Sequence, residues 1–451
     1  NQSTGPRYVA IADTLARDIA AGRLKAGDRL PTHRELAWKL GVTVGTVTRA
    51  YAEAERRGLI AGEVGRGTFI RDRGIDTLSS TQPNDDGFID LARNFPPGWR
   101  DNREIADILG DLSHSNDLSP LLGYAPNLGL PPHREAGAQW LSRSGVDVNP
   151  AHVAVTNGAQ HAMLVSLAAL TRPGDVVLSE QLTFYGLKSL GTHLSLRLHG
   201  VETDEHGLVP AALDAACRQM APKAIYCMPT LQNPTTASMP EARRREIAAI
   251  CLRHGVTIVE DDIYGFLVEG APPALSSFAP DNSILLTSLS KCVAPGMRIG
   301  YLRANDVLME RVASALRATT WMATPLLGEI AARLIRSGKA ARMATQMREE
   351  AKARQLIVRR ILPDAEYDAH EASFHIWLKL PEPWRREEFA QQVRRRGVGL
   401  APADAFAIGR MPVPHAVRIG LSAARDRAQL ERALTIVGDV LRGSPNSMAL
   451  V

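Results

Sequence analysis

The apolar positions near the start of the chain fall on a helical period in three short runs. Val9, Ile11, Ala12, Leu15, Ile19 and Ala20 share one face of a stretch over residues 8–21, with Gly22 as its stop. After a turn at Gly27-Asp28-Arg29, Thr32-His33-Arg34-Glu35 has the form in which a hydroxyl and a carboxylate cap each other's backbone N–H groups, which predicts a helix ending at Leu40 before Gly41. A third run through Val47, Ala50, Tyr51 and Ala54 predicts a helix over 43–57, stopped by Gly58. Two helices joined by so short a glycine-containing turn make a helix-turn-helix. Leu59-Ile60-Ala61 and Thr68-Phe69-Ile70 then read as strands around a tight loop at 62–67, which is a wing.

Beyond residue 70 the pattern changes twice. Residues 71–88 are polar and rich in Gly, Ser, Pro and Asn, without a period, so 74–88 reads as a flexible linker between a first domain at 1–73 and a body at 89–443. In the body, short apolar runs (Val153-Ala-Val-Thr, Val176-Val-Leu-Ser, Ala224-Ile-Tyr-Cys, Thr257-Ile-Val-Glu, Ser283-Ile-Leu-Leu-Thr, Ile299-Gly-Tyr-Leu) alternate with helical stretches. That alternation predicts an α/β fold with a largely parallel sheet whose ligands bind at the carboxyl ends of the strands. From about residue 345 the chain reads as a smaller α+β segment closed by a helix over 426–441.

Composition adds one distinction. With 45% hydrophobic and 22% charged residues the chain is globular, which excludes disordered, collagen-like and disulfide-scaffold classes. The formal charge of +5 is concentrated in residues 1–73, which hold 13 Lys and Arg against 8 Asp and Glu, whereas the remainder holds 40 of each. A basic module for a polyanion is thus joined to a neutral body. The four cysteines, Cys217, Cys227, Cys251 and Cys292, form no Cys-x-x-Cys pair, so no metal site is expected. No apolar run of about 18 residues and no basic-then-apolar leader is seen, so the expectation is a cytoplasmic protein without a membrane partner.

The residues that carry chemistry lie where strands end. In Thr287-Ser288-Leu-Ser290-Lys291-Cys-Val-Ala-Pro-Gly-Met-Arg298, a lysine past a buried strand is flanked by hydroxyls and an arginine. A partly desolvated amine beside other cations can form a Schiff base with an aldehyde, and Ser288, Ser290 and Arg298 are donors for a phosphate. Gly158, Ala159 and Gln160 open a helix after a strand, where backbone N–H groups bind phosphate. Phe184 offers a ring for stacking and Asn233 an amide for a phenolate oxygen. Asp261 offers a carboxylate able to keep a pyridine nitrogen protonated. On the first domain, the candidates for base edges and phosphates are Arg34, Thr43, Gly45, Thr46, Thr48, Arg49 and Arg66.

Two resemblances follow from these segments. Leu30-Pro31-Thr-His-Arg34-Glu35-Leu36-Ala37, Leu40-Gly41-Val42-Thr43, Thr46-Val47 and Gly65-Arg66-Gly67-Thr68-Phe69 resemble the winged helix of the GntR transcriptional regulators. The resemblance implies DNA contacts at Arg34, Thr46, Arg49, Arg66 and Gly67. Many members carry a basic residue where this chain has Val44, followed by Thr or Asn where it has Gly45. Residues 89–443 resemble the class I/II aminotransferases, fold type I enzymes dependent on pyridoxal 5′-phosphate. That resemblance implies Lys291 as the Schiff-base lysine, Asp261 on the ring nitrogen, Asn233 and Tyr264 on the ring oxygen, and Phe184 stacked on the ring. It further implies Arg418 on an amino-acid carboxylate and Tyr124 reaching a neighbouring subunit's site, hence a homodimer. The combination looks like the MocR subfamily of bacterial regulators. The expected function is a PLP-dependent transcriptional regulator that binds promoter DNA and senses PLP or an amino compound at Lys291. The alternative is a working aminotransferase with a DNA-binding appendage.

Overall fold

A computed structural model describes residues 6–21, 23–24, 28–56, 59–63, 67–70, 87–97, 103–409 and 412–443. The chain divides into two compact units, one reaching Pro83 and one starting at Asn84, with the short segment Arg410–Pro414 assigned to the first. Most of the expected linker at 74–88, and Arg66 on the wing, lie outside the described residues.

The first unit contains helices α1 (Arg7–Ala20), α2 (His33–Leu40) and α3 (Val44–Arg56) and strands β1 (Arg29–Leu30), β2 (Ile60–Glu63) and β3 (Gly67–Ile70). Thr32 and Glu35 form the expected reciprocal cap: Glu35 N–H donates to Thr32 Oγ1 at 3.3 Å and Thr32 N–H donates to Glu35 Oε2 at 2.8 Å. The cap's hydrogen bonds hold the Glu35 carboxyl below its ordinary range. Gly41, at φ 60°, supplies the left-handed residue that ends α2. Strand β3 pairs antiparallel with both β1 and β2. Ala12, Leu15, Ala37, Val47, Tyr51, Ala54 and Ile70 are buried together beneath these elements. The Tyr51 hydroxyl donates to the Pro31 carbonyl at 2.7 Å, fixing the entry of α2 on α3.

The second unit is built on seven strands: β4 (Val153–Thr156), β5 (Val176–Glu180), β6 (Arg197–Val201), β7 (Ala224–Cys227), β8 (Thr257–Asp261), β9 (Ser283–Ser288) and β10 (Gly300–Arg303). Their order is β4-β10-β9-β8-β7-β5-β6. All pairings are parallel except those of β10, which runs antiparallel to β9 and β4. The sheet is thus parallel-rich, as the alternation predicted. The direction of β10 was not legible, because the loop after Lys291 returns the chain with no intervening crossover helix. Helix α4 (Ala159–Leu170) packs across β8, β9 and β10. A smaller antiparallel sheet, β11 (Tyr367–Asp368), β12 (His375–Lys379), β13 (Ala401–Pro402) and β14 (Ala416–Gly420) in the order β11-β12-β14-β13, is flanked by α5 (Lys339–Ile361) and α6 (Arg427–Arg442). Leu378, Trp384, Phe389, Val417 and Leu434 form its core.

Candidate DNA-binding face and candidate cofactor site

On the first unit, Arg34 on α2 and Arg49 on α3 are both exposed, as are Thr43 and Thr48, while Thr46 is half-buried. Gly67 sits at φ +119° at the base of the wing, where an added Cβ would lie 3.0 Å from Arg29 Nε. Arg29 is therefore part of this basic face, and the sequence reading missed it. Trp38, one turn after Arg34 on α2, is 84% exposed and was missed as well.

In the body, the residues singled out from sequence gather at the carboxyl ends of the parallel strands. Asp261 ends β8 and is buried. Its Oδ2 accepts from the Tyr226 hydroxyl at 2.7 Å and its Oδ1 from the Ile263 N–H at 3.2 Å. Burial pushes its carboxyl up to about 6, against the pull of Tyr226, the Ile263 N–H and Lys291. Lys291, in the loop after β9, donates to the Asn94 carbonyl oxygen. Desolvation, aided by Arg418 and Arg298 and opposed by Asp261, brings its ammonium down to about 7.

Arg418, on β14, is fully buried. Its Nη1 donates to Asn233 Oδ1 at 2.7 Å, its Nη2 donates to the Ala92 carbonyl, and its guanidinium lies 4.8 Å over the Phe406 ring. Its Nε has no hydrogen-bond partner, and among the described residues it forms no ion pair. A buried cation with no directly paired carboxylate is costly, and the Asp90 carboxylate offsets that cost only at a distance.

Tyr264 joins the group through Asn94, whose amide donates to the Tyr264 hydroxyl at 2.8 Å and lies 3.1 Å from His375 Nδ1. His375 Nε2 faces the Gln232 carbonyl at 3.3 Å, so the imidazole donates there and accepts from Asn94. Burial, with Arg418 and Lys291 nearby, holds it neutral, down to about 3. Asn94, His375 and Tyr226 are the site residues that sequence reasoning missed. The available signals were a polar Arg93-Asn94 pair breaking an apolar run and a lone histidine opening the apolar strand His375-Ile-Trp-Leu.

A second corner of the site carries the phosphate candidates. Arg298 Nη1 lies 3.4 Å from Ser290 Oγ and Nη2 lies 3.4 Å from the Asn157 carbonyl. The Ser288 hydroxyl is tied to the Ile299 carbonyl at 2.9 Å and to Ser290 Oγ at 2.8 Å. Gly158 precedes α4 at φ +83°, a backbone conformation that strains any other residue, and an added Cβ there would stand 2.6 Å from Arg298 Nη2 and displace that guanidinium. Ala159 and Gln160 form the first turn of α4, with Gln160 Nε2 3.5 Å from the Gly186 carbonyl. Phe184 is half-buried with its ring 4.8 Å from that of Tyr185. Tyr124 stays outside this gathering within one chain: it is 90% exposed, its ring edge-on to Trp321 at 6.4 Å. Among the described residues no cluster suited to a metal ion is present, and no helix is long and apolar enough to cross a membrane.

Comparison with known proteins matches residues 86–437 to the aminotransferase class I and II family and residues 7–70 to the bacterial regulatory proteins of the gntR family. The chain is 30% identical over 442 residues to the uncharacterized HTH-type transcriptional regulator YdeF of Bacillus subtilis (strain 168), covering 97% of this chain and 94% of the relative. It is 28% identical over 365 residues to the HTH-type pyridoxine biosynthesis transcriptional regulator PdxR of Corynebacterium glutamicum, covering 78% of each. Among solved structures it is similar to LysN, the alpha-aminoadipate aminotransferase of Thermus thermophilus, with a TM-score of 0.74 at 22% identity, covering 89% of this chain and 100% of the other, a likeness of fold. The chain belongs to the GntR-family transcriptional regulators whose winged helix is fused to an aminotransferase class I/II domain, the MocR arrangement.

Proposed function

We propose that this regulator binds promoter DNA through a domain at 1–73, joined by a linker at 74–88 to a body at 89–443 that holds pyridoxal 5′-phosphate at Lys291. The cofactor, alone or with an amino compound bearing a carboxylate, is the effector. The residues fit that group on three counts. Asp261 is a buried carboxylate whose hydrogen-bond donors are neutral, so its charge is left for a protonated ring nitrogen. Gly158 opens a cradle beside Arg298 that a side chain would fill. Arg418 holds an unpartnered Nε in the interior.

In this reading Lys291 carries the cofactor, Asp261 holds its ring nitrogen, Asn233 and Tyr264 its ring oxygen, and Phe184 stacks on the ring. Gly158, Ala159, Gln160, Ser288, Ser290 and Arg298 take the phosphate, and the partner subunit's Tyr124 completes the site in a cytoplasmic homodimer. When bound, the cofactor supplies an aldehyde that captures amines and a ring that withdraws electrons. The protein supplies the rest. The Lys291 amine is half neutral near pH 7, Asn94 orients it through its carbonyl, and Arg418 presents its fork to the ligand's carboxylate.

The observation that carries the reading is a fully buried guanidinium without an ion pair, in a site with a lysine whose ammonium is already half deprotonated at neutral pH. Borohydride reduction of the full chain with PLP, followed by peptide mapping, tests the cofactor. Mobility shifts on duplex DNA with and without an amino-acid panel test the regulation. A label on Lys291 and ligand-dependent DNA binding support the reading. No label, or no sequence-selective DNA binding, overturns it. Sustained turnover of an amino donor and a 2-oxo acid favours the second reading, an aminotransferase, for which the neutral Lys291 amine is equally suited as a proton carrier.

A further inference from the structure

The first turn of α3 is the part of a helix-turn-helix that meets base edges. Its polar groups are already engaged within the protein. Thr43 Oγ1 accepts from the Thr46 N–H at 3.2 Å and shares a hydrogen with Thr46 Oγ1 at 2.9 Å. Thr48 Oγ1 donates to the Val44 carbonyl at 3.0 Å and lies 3.3 Å from His33 Nδ1. Beside these tied hydroxyls the turn also leaves hydrocarbon uncovered. Val44 is 45% exposed, and Gly45 beside it has no side chain and no atom nearer than Thr43 Oγ1 at 4.0 Å along its Cβ direction.

In the major groove of B-DNA only thymine presents hydrocarbon, its 5-methyl group, while guanine presents the paired acceptors that suit arginine or lysine. Resting on the DNA-binding reading above, we infer that Val44 reads thymine: its isopropyl group packs on the 5-methyl of one thymine in each half-site, and Gly45 leaves the space in which the base pair approaches the helix. A basic residue at the head of a recognition helix reads guanine. Valine has no donor for guanine's paired acceptors and offers methyl groups, so thymine is the base it favours. The cationic contacts then come from Arg49 and Arg34, which are exposed and flank this apolar spot in sequence and on α2.

The test uses the full-length protein. Duplexes are selected from a randomised pool, and the recovered half-site is titrated with each thymine replaced, one at a time, by deoxyuridine, which removes the methyl and keeps the pairing. At the value of one buried methyl group, replacing the contacted thymine in one half-site should weaken binding about fourfold, and replacing it in both about fifteenfold. The penalty should shrink in Val44→Ala, whose one β-carbon stands farther from the base, and persist in Val44→Thr, which keeps a γ-methyl and the branched shape and shows that the face is intact. A selected half-site in which no replacement matters, or in which the penalty is the same in Val44→Ala, overturns the assignment and leaves DNA binding standing. No enrichment from the pool overturns both.

Discussion

The two units of this chain display their cations in opposite ways. On the winged helix, Arg34 and Arg49 stand in water, where a charge is cheap to keep and acts on a polyanion by releasing counterions. In the body, Arg418 is buried and Lys291 half-buried, and the hydrogen-bond partners they have are a carboxamide and backbone carbonyls. An exposed cation makes many weak, salt-dependent contacts. A buried one without its anion is a standing cost that a single matching ligand removes. The proposed function rests on that difference: an extended phosphate backbone for the first unit, and for the second a small molecule with one or two fixed anionic groups.

Substitutions should separate the two halves. The largest effect expected is from Lys291→Ala, which should abolish all borohydride-trapped cofactor while leaving ligand-free DNA affinity unchanged. Retained label at another residue would break the assignment. Next comes the pH behaviour of Lys291 itself in cofactor-free protein. An ammonium lowered from 10.5 to about 7 loses its proton as pH rises through 7, so at neutral pH its neutral fraction should exceed that of an ordinary lysine by about a thousandfold. Brief labelling with acetic anhydride across pH 5–10, read by mass spectrometry, should show half-maximal reactivity near 7 at Lys291. The same shift means that the unfolded chain binds the extra proton between about 7 and 10.5, so Lys291 contributes a stability that grows with pH across that window.

Arg418→Met should weaken binding of a carboxylate-bearing effector about a hundredfold, and should change the stability of the cofactor-free protein by no more than about 2 kcal/mol, because the loss of a buried charge offsets the loss of its hydrogen bonds to Asn233 and the Ala92 carbonyl. A sharp loss of stability would mean that Arg418 is a structural residue. The smallest effect is that of Arg34→Ala, expected to cost about tenfold in DNA affinity and to lower the slope of log K against log salt by about one, without altering the cofactor's absorbance.

Much of this was legible in the sequence, and what was not has a common cause. The Thr32–Glu35 cap, the stop at Gly41 and six of the seven strands of the large sheet depend on neighbours within a few residues, and they were read correctly; the edge strand β6 (Arg197–Val201), whose Arg-Leu-His-Gly-Val run is broken by polar residues, was not. So was the gathering of Asp261, Asn233 and Lys291, because each ends or follows an apolar strand and strand ends converge in a parallel sheet; Arg418 comes to them from the middle of β14 in the smaller antiparallel sheet and was named only through the family resemblance. Asn94, His375 and Tyr226 were missed because they reach the site across the fold: Asn94 meets residues 170 and 281 positions away. Nothing local separates such a histidine from one that merely fills a core. The hydrogen bond between the hydroxyls of Thr43 and Thr46, at 2.9 Å, was likewise visible only once the helix is built.

The central claim is that what binds at Lys291 and Arg418 changes the affinity of the winged helix for DNA. The direct test is a linkage measurement. The affinity of the full chain for a duplex selected from the randomised pool is measured by fluorescence anisotropy, without ligand, with PLP, and with PLP plus each amino acid of a panel. The account predicts that one of these conditions shifts the affinity by about five- to 150-fold, the ordinary span of allosteric coupling, and that the shift disappears in Lys291→Ala. A single unchanged affinity across conditions in which absorbance shows the body saturated would contradict it.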